Sequence, residues 1–113
     1  MYNNYADKGT TPELLKNLAS AAATAATLTK AADASEFWVV DWITWSYSAA
    51  PTGGKLTVAL GGVSYLEVDI TAGGPGQLQF DHPLYTGTKN EALLITLASG
   101  GGAVVGKVSA RIR

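Results

Sequence analysis

The sequence is poor in the residue types that carry most chemistry. Its 113 residues include no cysteine, one histidine and one methionine. Disulfide bonds, cysteine zinc sites and thiol catalysis are therefore excluded, and few side chains remain that bind transition metals. We expect a protein with no cofactor, no metal ion and no enzymatic activity.

Charge and long hydrophobic runs are scarce as well. Charged residues make up 15% of the chain, and the net charge is -1. Nucleic-acid-binding proteins usually present a strongly basic face, so we expect no nucleic-acid partner. The apolar stretches are shorter than a membrane span, and the first residues do not resemble a signal peptide. We therefore expect a soluble protein that binds no membrane and is not secreted.

Small and apolar residues are abundant. Hydrophobic residues make up 47% of the chain, which predicts one folded domain at this length. Glycine clusters divide residues 20–113 into short runs rich in β-branched and aromatic side chains, which predicts an all-β sandwich of about seven strands. This count fits a jelly-roll-like or an immunoglobulin-like strand order. The clusters are Gly53-Gly54, Gly61-Gly62, Gly73-Gly74-Pro75-Gly76 and Gly100-Gly101-Gly102.

Residues 1–19 differ from this pattern and predict a short N-terminal arm, either helical or extended. Thr10 to Glu13 contains two alternative helix-capping frames, between which the sequence does not choose. If the segment is helical, three leucines share one face. The aromatic residues and leucines of the arm are Tyr2, Tyr5, Leu14, Leu15 and Leu18.

The strongest predicted strand covers residues 36–48. Regular alternation places Trp45 on the face opposite to Trp38 and Trp42, and both faces are apolar in the first half. A half-exposed strand of a monomer has one polar face, so we expect the N-terminal segment or another subunit to cover the second one. Tryptophan contributes strongly to interfaces, and a buried aspartate needs a partner. The candidates for a subunit contact are Trp38, Val40, Asp41 and Trp42.

Residues 55–70 predict a hairpin whose register depends on its loop. A two-residue loop, Gly61-Gly62, places the apolar residues of the two strands on opposite faces. A three-residue loop that includes Val63 places them on one face, so we expect the longer loop. Its pairs are Leu60 with Ser64, Val58 with Leu66, and Leu56 with Val68.

Two motifs with a catalytic appearance are better explained structurally. Gly101, Gly106 and Lys107 have the spacing of a phosphate-binding loop. Val108, however, stands where that motif needs Ser or Thr, and the following residues alternate like a strand rather than a helix. His82 has no nucleophile motif beside it, and we expect it at a turn or a sheet edge. No catalytic or cofactor-binding residue is therefore predicted.

Three segments resemble small structural proteins encoded by tailed bacteriophages. They are Trp45 to Val58 (WSYSAAPTGGKLTV), Val68 to Gly76 (VDITAGGPG) and Ala92 to Lys107 (ALLITLASGGGAVVGK). The similarity covers roughly Phe37 to Arg113 and leaves residues 1–19 outside. It implies a component of the virion, such as a capsid decoration (cement) protein.

This resemblance also implies partners and a location. Capsid decoration proteins of this type are often trimers, so the expected partners are further copies of the chain and the major capsid protein. The expected location is the capsid surface, after synthesis in the host cytoplasm. The arm residues Tyr2, Tyr5, Leu14, Leu15 and Leu18 would then anchor the protein to the shell. The alternative is a receptor- or glycan-binding module of a tail fibre or baseplate.

Overall fold

The computed structural model describes residues 13–17, 22–85 and 89–113, with side chains described for 14–16, 22–80 and 89–113. Within these residues the fold is all-β, with eight strands and no helix. The strands are β1 (Glu13–Asn17), β2 (Ala26–Lys30), β3 (Val39–Tyr47), β4 (Gly54–Leu60), β5 (Val63–Ile70), β6 (Gly74–Tyr85), β7 (Leu93–Leu97) and β8 (Gly106–Ile112).

The strands form two antiparallel sheets of four strands each. The first sheet has the order β1-β8-β3-β6, and the second has the order β2-β7-β4-β5. Eight strands in this order form a jelly roll, whereas an immunoglobulin sandwich has a different order. The predicted β-sandwich is therefore confirmed, and its strand order is that of the jelly-roll alternative.

The core lies between the inner faces of the two sheets. Alternate residues of β4, β7 and β8 are buried there, as period-two alternation requires. Tyr47 of β3 is almost fully buried, and its hydroxyl donates a hydrogen bond of 2.6 Å to the carbonyl oxygen of Ala98, which follows β7. This bond joins the two sheets at one end of the sandwich.

A bulge at Asp41 changes which faces the tryptophans occupy. Val40 pairs with Ile112 of β8 whereas Trp42 pairs with Arg111, so Asp41 is an extra residue in β3. As a result Trp38 and Trp45 both pack against the core cluster, and Trp42 does not. The prediction that Trp38 and Trp42 share a face was therefore wrong, because strict alternation does not continue through a bulge.

The β4–β5 hairpin combines features of both predicted loops. Leu60 pairs directly with Val63, so the loop is the two-residue Gly61-Gly62, and both glycines have the positive φ that such a loop needs (60° and 83°). A bulge at Tyr65 then shifts the register by one residue. The expected pairing of Leu60 with Ser64 was wrong. The bulge restores the other two expected pairs, Val58 with Leu66 and Leu56 with Val68.

The arm predicted at residues 1–19 contributes a strand to the sandwich. Residues 13–17 form β1, which pairs with β8 at an edge of the first sheet, so the extended alternative is correct there and the helical one is wrong. Pairing with the open edge of β8 stabilises the backbone more than an isolated short helix can. Leu15 packs against the core, and Leu14 is exposed on the outer face. Tyr2, Tyr5 and Leu18 lie outside the described residues.

Candidate functional site

The outer face of the first sheet presents three rows of side chains across β8, β3 and β6. The register places Trp42 of β3 between Arg111 and Gln79 in the first row. The other rows follow at intervals of two residues, so their side chains point to the same side of the sheet. The second row is Ser109, Thr44 and Gln77, and the third is Lys107, Ser46 and Pro75.

An open groove of about 520 Å³ runs over the second and third rows. Its lining also includes Trp45, Gly76 and Val108, which lie between the two rows along their strands. The hydroxyl groups of Thr44 and Ser109 are 2.6 Å apart and share a hydrogen bond across β3 and β8. The groove is thus edged by hydroxyl, amide and ammonium groups and has no carboxylate in its lining.

A cluster of charged residues borders the first row. Arg113 donates two hydrogen bonds to Asp41, from Nε to Oδ2 at 3.0 Å and from Nη2 to Oδ1 at 2.7 Å. Arg111 approaches the same carboxylate less closely, with 3.6 Å between Nε and Oδ2, and its side chain is 48% exposed. One carboxylate therefore faces two guanidinium groups, and Arg111 keeps donors directed to solvent.

Among the side chains described on this face, basic residues exceed acidic ones. Lys16 of β1 lies opposite Ser109, and Lys107 lies two residues before Ser109 on β8. Both lysines are exposed, and within the part of the chain that the structure describes neither forms an ion pair. With Arg111 and Arg113, four basic side chains thus accompany the carboxylate of Asp41 among the side chains that the structure describes on this face. The sequence analysis missed this face because its residues are spread over four strands that are distant in sequence.

The outer face of the second sheet is chemically different. Thr27, Thr96 and Thr57 lie side by side across β2, β7 and β4. In the neighbouring row Leu94 lies opposite Ala59, whose partner on β5 is Ser64, the residue before the bulge at Tyr65. Leu94, Ala59 and Tyr65 form what we call the apolar strip, in which Leu94 is 40% and Tyr65 64% exposed.

The charged residues of this second face begin next to the apolar strip and extend towards the far end of the hairpin. There Lys55 Nζ lies 3.1 Å from Glu67 Oε1, and Ser64 also donates a hydrogen bond to Glu67. These bonds lower the pKa of Glu67, and the hydrogen bond from Ser64 contributes more than the one from Lys55. The strip itself consists of uncharged side chains.

Of the four residues predicted at a subunit contact, two have side chains that are buried or ion-paired within the protomer. The side chain of Val40 is fully buried in the core of the protomer. Asp41 is only 18% exposed and binds Arg113. Its position results from the bulge, which turns the carboxylate to the outer face.

The two tryptophans of that prediction occupy different environments. Trp38 packs against the core cluster, its Nε1 donates a hydrogen bond of 3.0 Å to the carbonyl oxygen of Ala31, and Lys30 Nζ lies 4.9 Å from its ring centre. Trp42 is half-buried on the outer face of the first sheet. Trp42 thus remains a candidate for an external contact, whereas Trp38 already has partners within the chain.

The two motifs with a catalytic appearance lie in or directly before β-strands. Lys107 lies in β8, and no helix follows it, as the sequence analysis predicted. The backbone of His82 belongs to β6, an edge strand of the first sheet, while its side chain lies outside the described part. Among the residues described, no group of three or more His, Asp or Glu side chains is placed to hold a metal ion. The same residues include no helix long and apolar enough to cross a membrane.

Comparison with known proteins identifies no family. No family profile matches the sequence, and no curated protein matches it. Among solved structures, the chain is similar to carbohydrate-binding module CBM36 in complex with calcium and xylotriose, with a TM-score of 0.47 and 16% identity over 93% of this chain and 88% of that one.

Two larger proteins show similarities of the same order. The insecticidal delta-endotoxin Cry8Ea1 from Bacillus thuringiensis matches 88% of this chain and 19% of its own, at a TM-score of 0.42 and 16% identity. Dimeric latent PorU from Porphyromonas gingivalis matches 88% of this chain and 12% of its own, at a TM-score of 0.47 and 15% identity. All these TM-scores lie below 0.5, so we base no functional argument on them.

Proposed function

We propose that this protein is a non-enzymatic structural component of a bacteriophage virion, specifically a capsid decoration protein. It binds the outer surface of the head as a homotrimer and bridges neighbouring copies of the major capsid protein. The proposal is supported by the resemblance of residues 37–113 to small phage structural proteins. Jelly rolls are a frequent architecture of viral capsid proteins, which agrees with it.

The observation that carries the proposal is the outer face of the second sheet. Its threonines and Ala59 are short, so a partner can approach the backbone closely over the apolar strip. Interface centres are depleted of charge and enriched in tyrosine, and the exposed Tyr65 and Leu94 fit that composition. Burial of these two side chains against another chain is favourable by about 1.5–3 kcal/mol for each, before the cost of association is subtracted.

This face replaces the subunit contact that the sequence suggested around Val40 and Asp41. The first sheet supplies a second contact at its β1 edge. Leu14 is exposed there on the outer face, and together with the rest of the predicted arm it would anchor the protein to the shell. Trp42 lies on the same outer face, two strands away.

Light scattering and sedimentation with capsid shells test this proposal. We expect the wild-type protein to form trimers, or to assemble on shells of the encoding phage that lack it. Tyr65→Lys and Leu94→Lys place a charge in the contact and should abolish both properties. Ser46→Lys adds the same charge to the opposite face and serves as the matched control. A monomeric wild-type protein that does not sediment with shells contradicts the proposal.

A second candidate function is glycan binding as a tail-fibre or baseplate module. The observation that favours it is the row containing Arg111, Trp42 and Gln79, which lies beside the groove. Ligand sites commonly combine an aromatic surface with a few directed polar groups, and this arrangement has both. Glycan binding uses the first sheet, whereas the main capsid contact uses the apolar strip of the second sheet, so one protein can have either property or both.

A further inference from the structure

We infer that the outer face of the first sheet is a binding site for acidic oligosaccharides, meaning sugars that carry carboxylate, sulfate or phosphate groups. This inference rests on the second candidate function and names its ligand class. It concerns the groove, the row of Trp42 and the basic residues around them. It does not involve the apolar strip of the second sheet, to which we assign the main capsid contact.

The arrangement of the cations defines the charge of the ligand. Arg111 and Lys107 lie four residues apart on β8, which separates them by about 13 Å. Lys16 of β1 lies opposite Ser109, the residue midway between them. Three cations therefore border one side of the rows. Asp41 lies 3.6 Å from Arg111 but also accepts two hydrogen bonds from Arg113, so its one carboxylate offsets only part of the positive charge and leaves Lys107 and Lys16 without an ion pair among the described residues.

The uncharged groups define the rest of the ligand. Across the sheet from the cations lie Gln79 and Gln77 of β6, and Thr44 and Ser46 lie between the two sides. Amides and hydroxyls both donate and accept hydrogen bonds, as the hydroxyl groups of a sugar require. Trp42 supplies the apolar surface against which the face of a sugar ring packs.

The size and composition of the face favour a saccharide over a nucleic acid. Four strands and three rows cover about 14 Å by 14 Å, which is the scale of a short oligosaccharide rather than of a duplex. Proteins that bind single-stranded nucleic acids stack successive bases on several aromatic side chains. Trp42 is the one aromatic residue in the three rows, since Trp45, which also lines the groove, packs against the core, whereas hydrogen-bonding groups are numerous.

The test compares two forms of one sugar chain. Trigalacturonic acid and its methyl ester have the same rings and differ in charge, and their binding can be followed by titration calorimetry and by tryptophan fluorescence. We expect the acid to bind and the ester to bind at least about fivefold more weakly, with affinity for the acid falling as salt is added. A 12-nucleotide single-stranded DNA serves as a second anion.

Substitutions locate the site on the sheet. Arg111→Gln and Lys107→Gln should each weaken binding about threefold, the scale of an exposed ion pair. Lys89→Gln removes the same charge from an exposed position outside the rows and should have no effect. Trp42→Ala should weaken binding about tenfold, and Trp42→Phe should restore part of it if the ring is what matters. Thermal unfolding of each variant shows that the fold is retained.

The outcomes distinguish glycan binding by this face from its preference for acidic sugars. Equal binding of the ester and the acid overturns the preference for acidic sugars and leaves glycan binding intact. If neither the acid nor the ester binds, and neutral and acidic oligosaccharides of other sugars do not bind either, then both the preference for acidic sugars and glycan binding itself are overturned. Tighter binding of DNA than of the sugar acid overturns the assignment to saccharides, and an equal effect of Lys89→Gln overturns the location.

Discussion

Arg113 and Asp41 are joined by two charge-assisted hydrogen bonds, from Nε to Oδ2 at 3.0 Å and from Nη2 to Oδ1 at 2.7 Å. The pair connects the residue after β8 to the bulge of β3. Their side chains are only 14% and 18% exposed. The bulge thus places a carboxylate where the adjacent strand supplies its partner, and each charge is compensated by the other in place of the water that burial removes.

We predict that Arg113→Gln destabilises the protein by about 2 kcal/mol. The substitution removes the bidentate contact and leaves the largely covered carboxylate of Asp41 without its main partner. Urea unfolding measures the change. Arg111→Gln is the matched control: its contact is longer and its side chain is 48% exposed, so its cost should stay below about 0.5 kcal/mol. Equal costs for the two variants contradict the prediction.

We predict that Tyr47→Phe destabilises the protein by about 1–2 kcal/mol at neutral pH. The phenylalanine keeps the ring but leaves the carbonyl oxygen of Ala98 without the hydrogen bond that Tyr47 donates at 2.6 Å. Tyr65→Phe removes a hydroxyl from an exposed ring and should change the free energy of unfolding very little. The two variants are compared by urea unfolding.

The pH dependence of that difference is a separate prediction. Burial raises the pKa of Tyr47, so the folded protein holds the hydroxyl proton more tightly than the unfolded chain does. The stabilisation is complete below the unfolded pKa of about 10 and is lost as the pH rises through the higher folded pKa. The stability of the wild type should therefore fall towards that of Tyr47→Phe above pH 10. A difference that stays constant up to alkaline unfolding contradicts this.

We predict that Gly76→Ala destabilises the protein by about 1–3 kcal/mol. The added Cβ would overlap the indole ring of Trp45, which packs on Gly76 across β3 and β6. The ring must then move, so the tryptophan fluorescence should shift. In the double variant with Trp45→Leu the clash is absent, and the cost of Gly76→Ala should nearly vanish in a double-mutant cycle. An undiminished cost would show that the strand backbone, and not the ring, opposes the substitution.

We predict that deletion of Tyr65 leaves the fold intact but abolishes self-association. Tyr65 is the extra residue of its bulge, so its removal leaves Val58 paired with Leu66 and Leu56 paired with Val68. Circular dichroism and thermal unfolding report the fold, and light scattering reports the assembly. Deletion of Glu67, further along the same strand, serves as the contrast because it shifts the strand by one residue and turns its apolar side chains outward.

The sequence predicted much of the fold from alternation and turn residues. The terminal strand has an uninterrupted pattern, and its buried residues Val108, Ala110 and Ile112 are those that period two requires. The pattern was less informative where strands contain bulges. Asp41 and Tyr65 each add one residue to a strand, and nothing in a single sequence distinguishes an extra residue from a regular one until its partner strand is known.

The local sequence determined that this chain forms short strands separated by glycine turns, because side-chain alternation and glycine conformation are properties of neighbouring residues. Tertiary structure decided the jelly-roll order, the pairing of β1 with β8 and the two bulges, because each depends on hydrogen bonds between distant strands. It also decided the candidate site. Lys16, Trp42, Gln79 and Arg111 come from four strands and form one face only once those strands lie side by side.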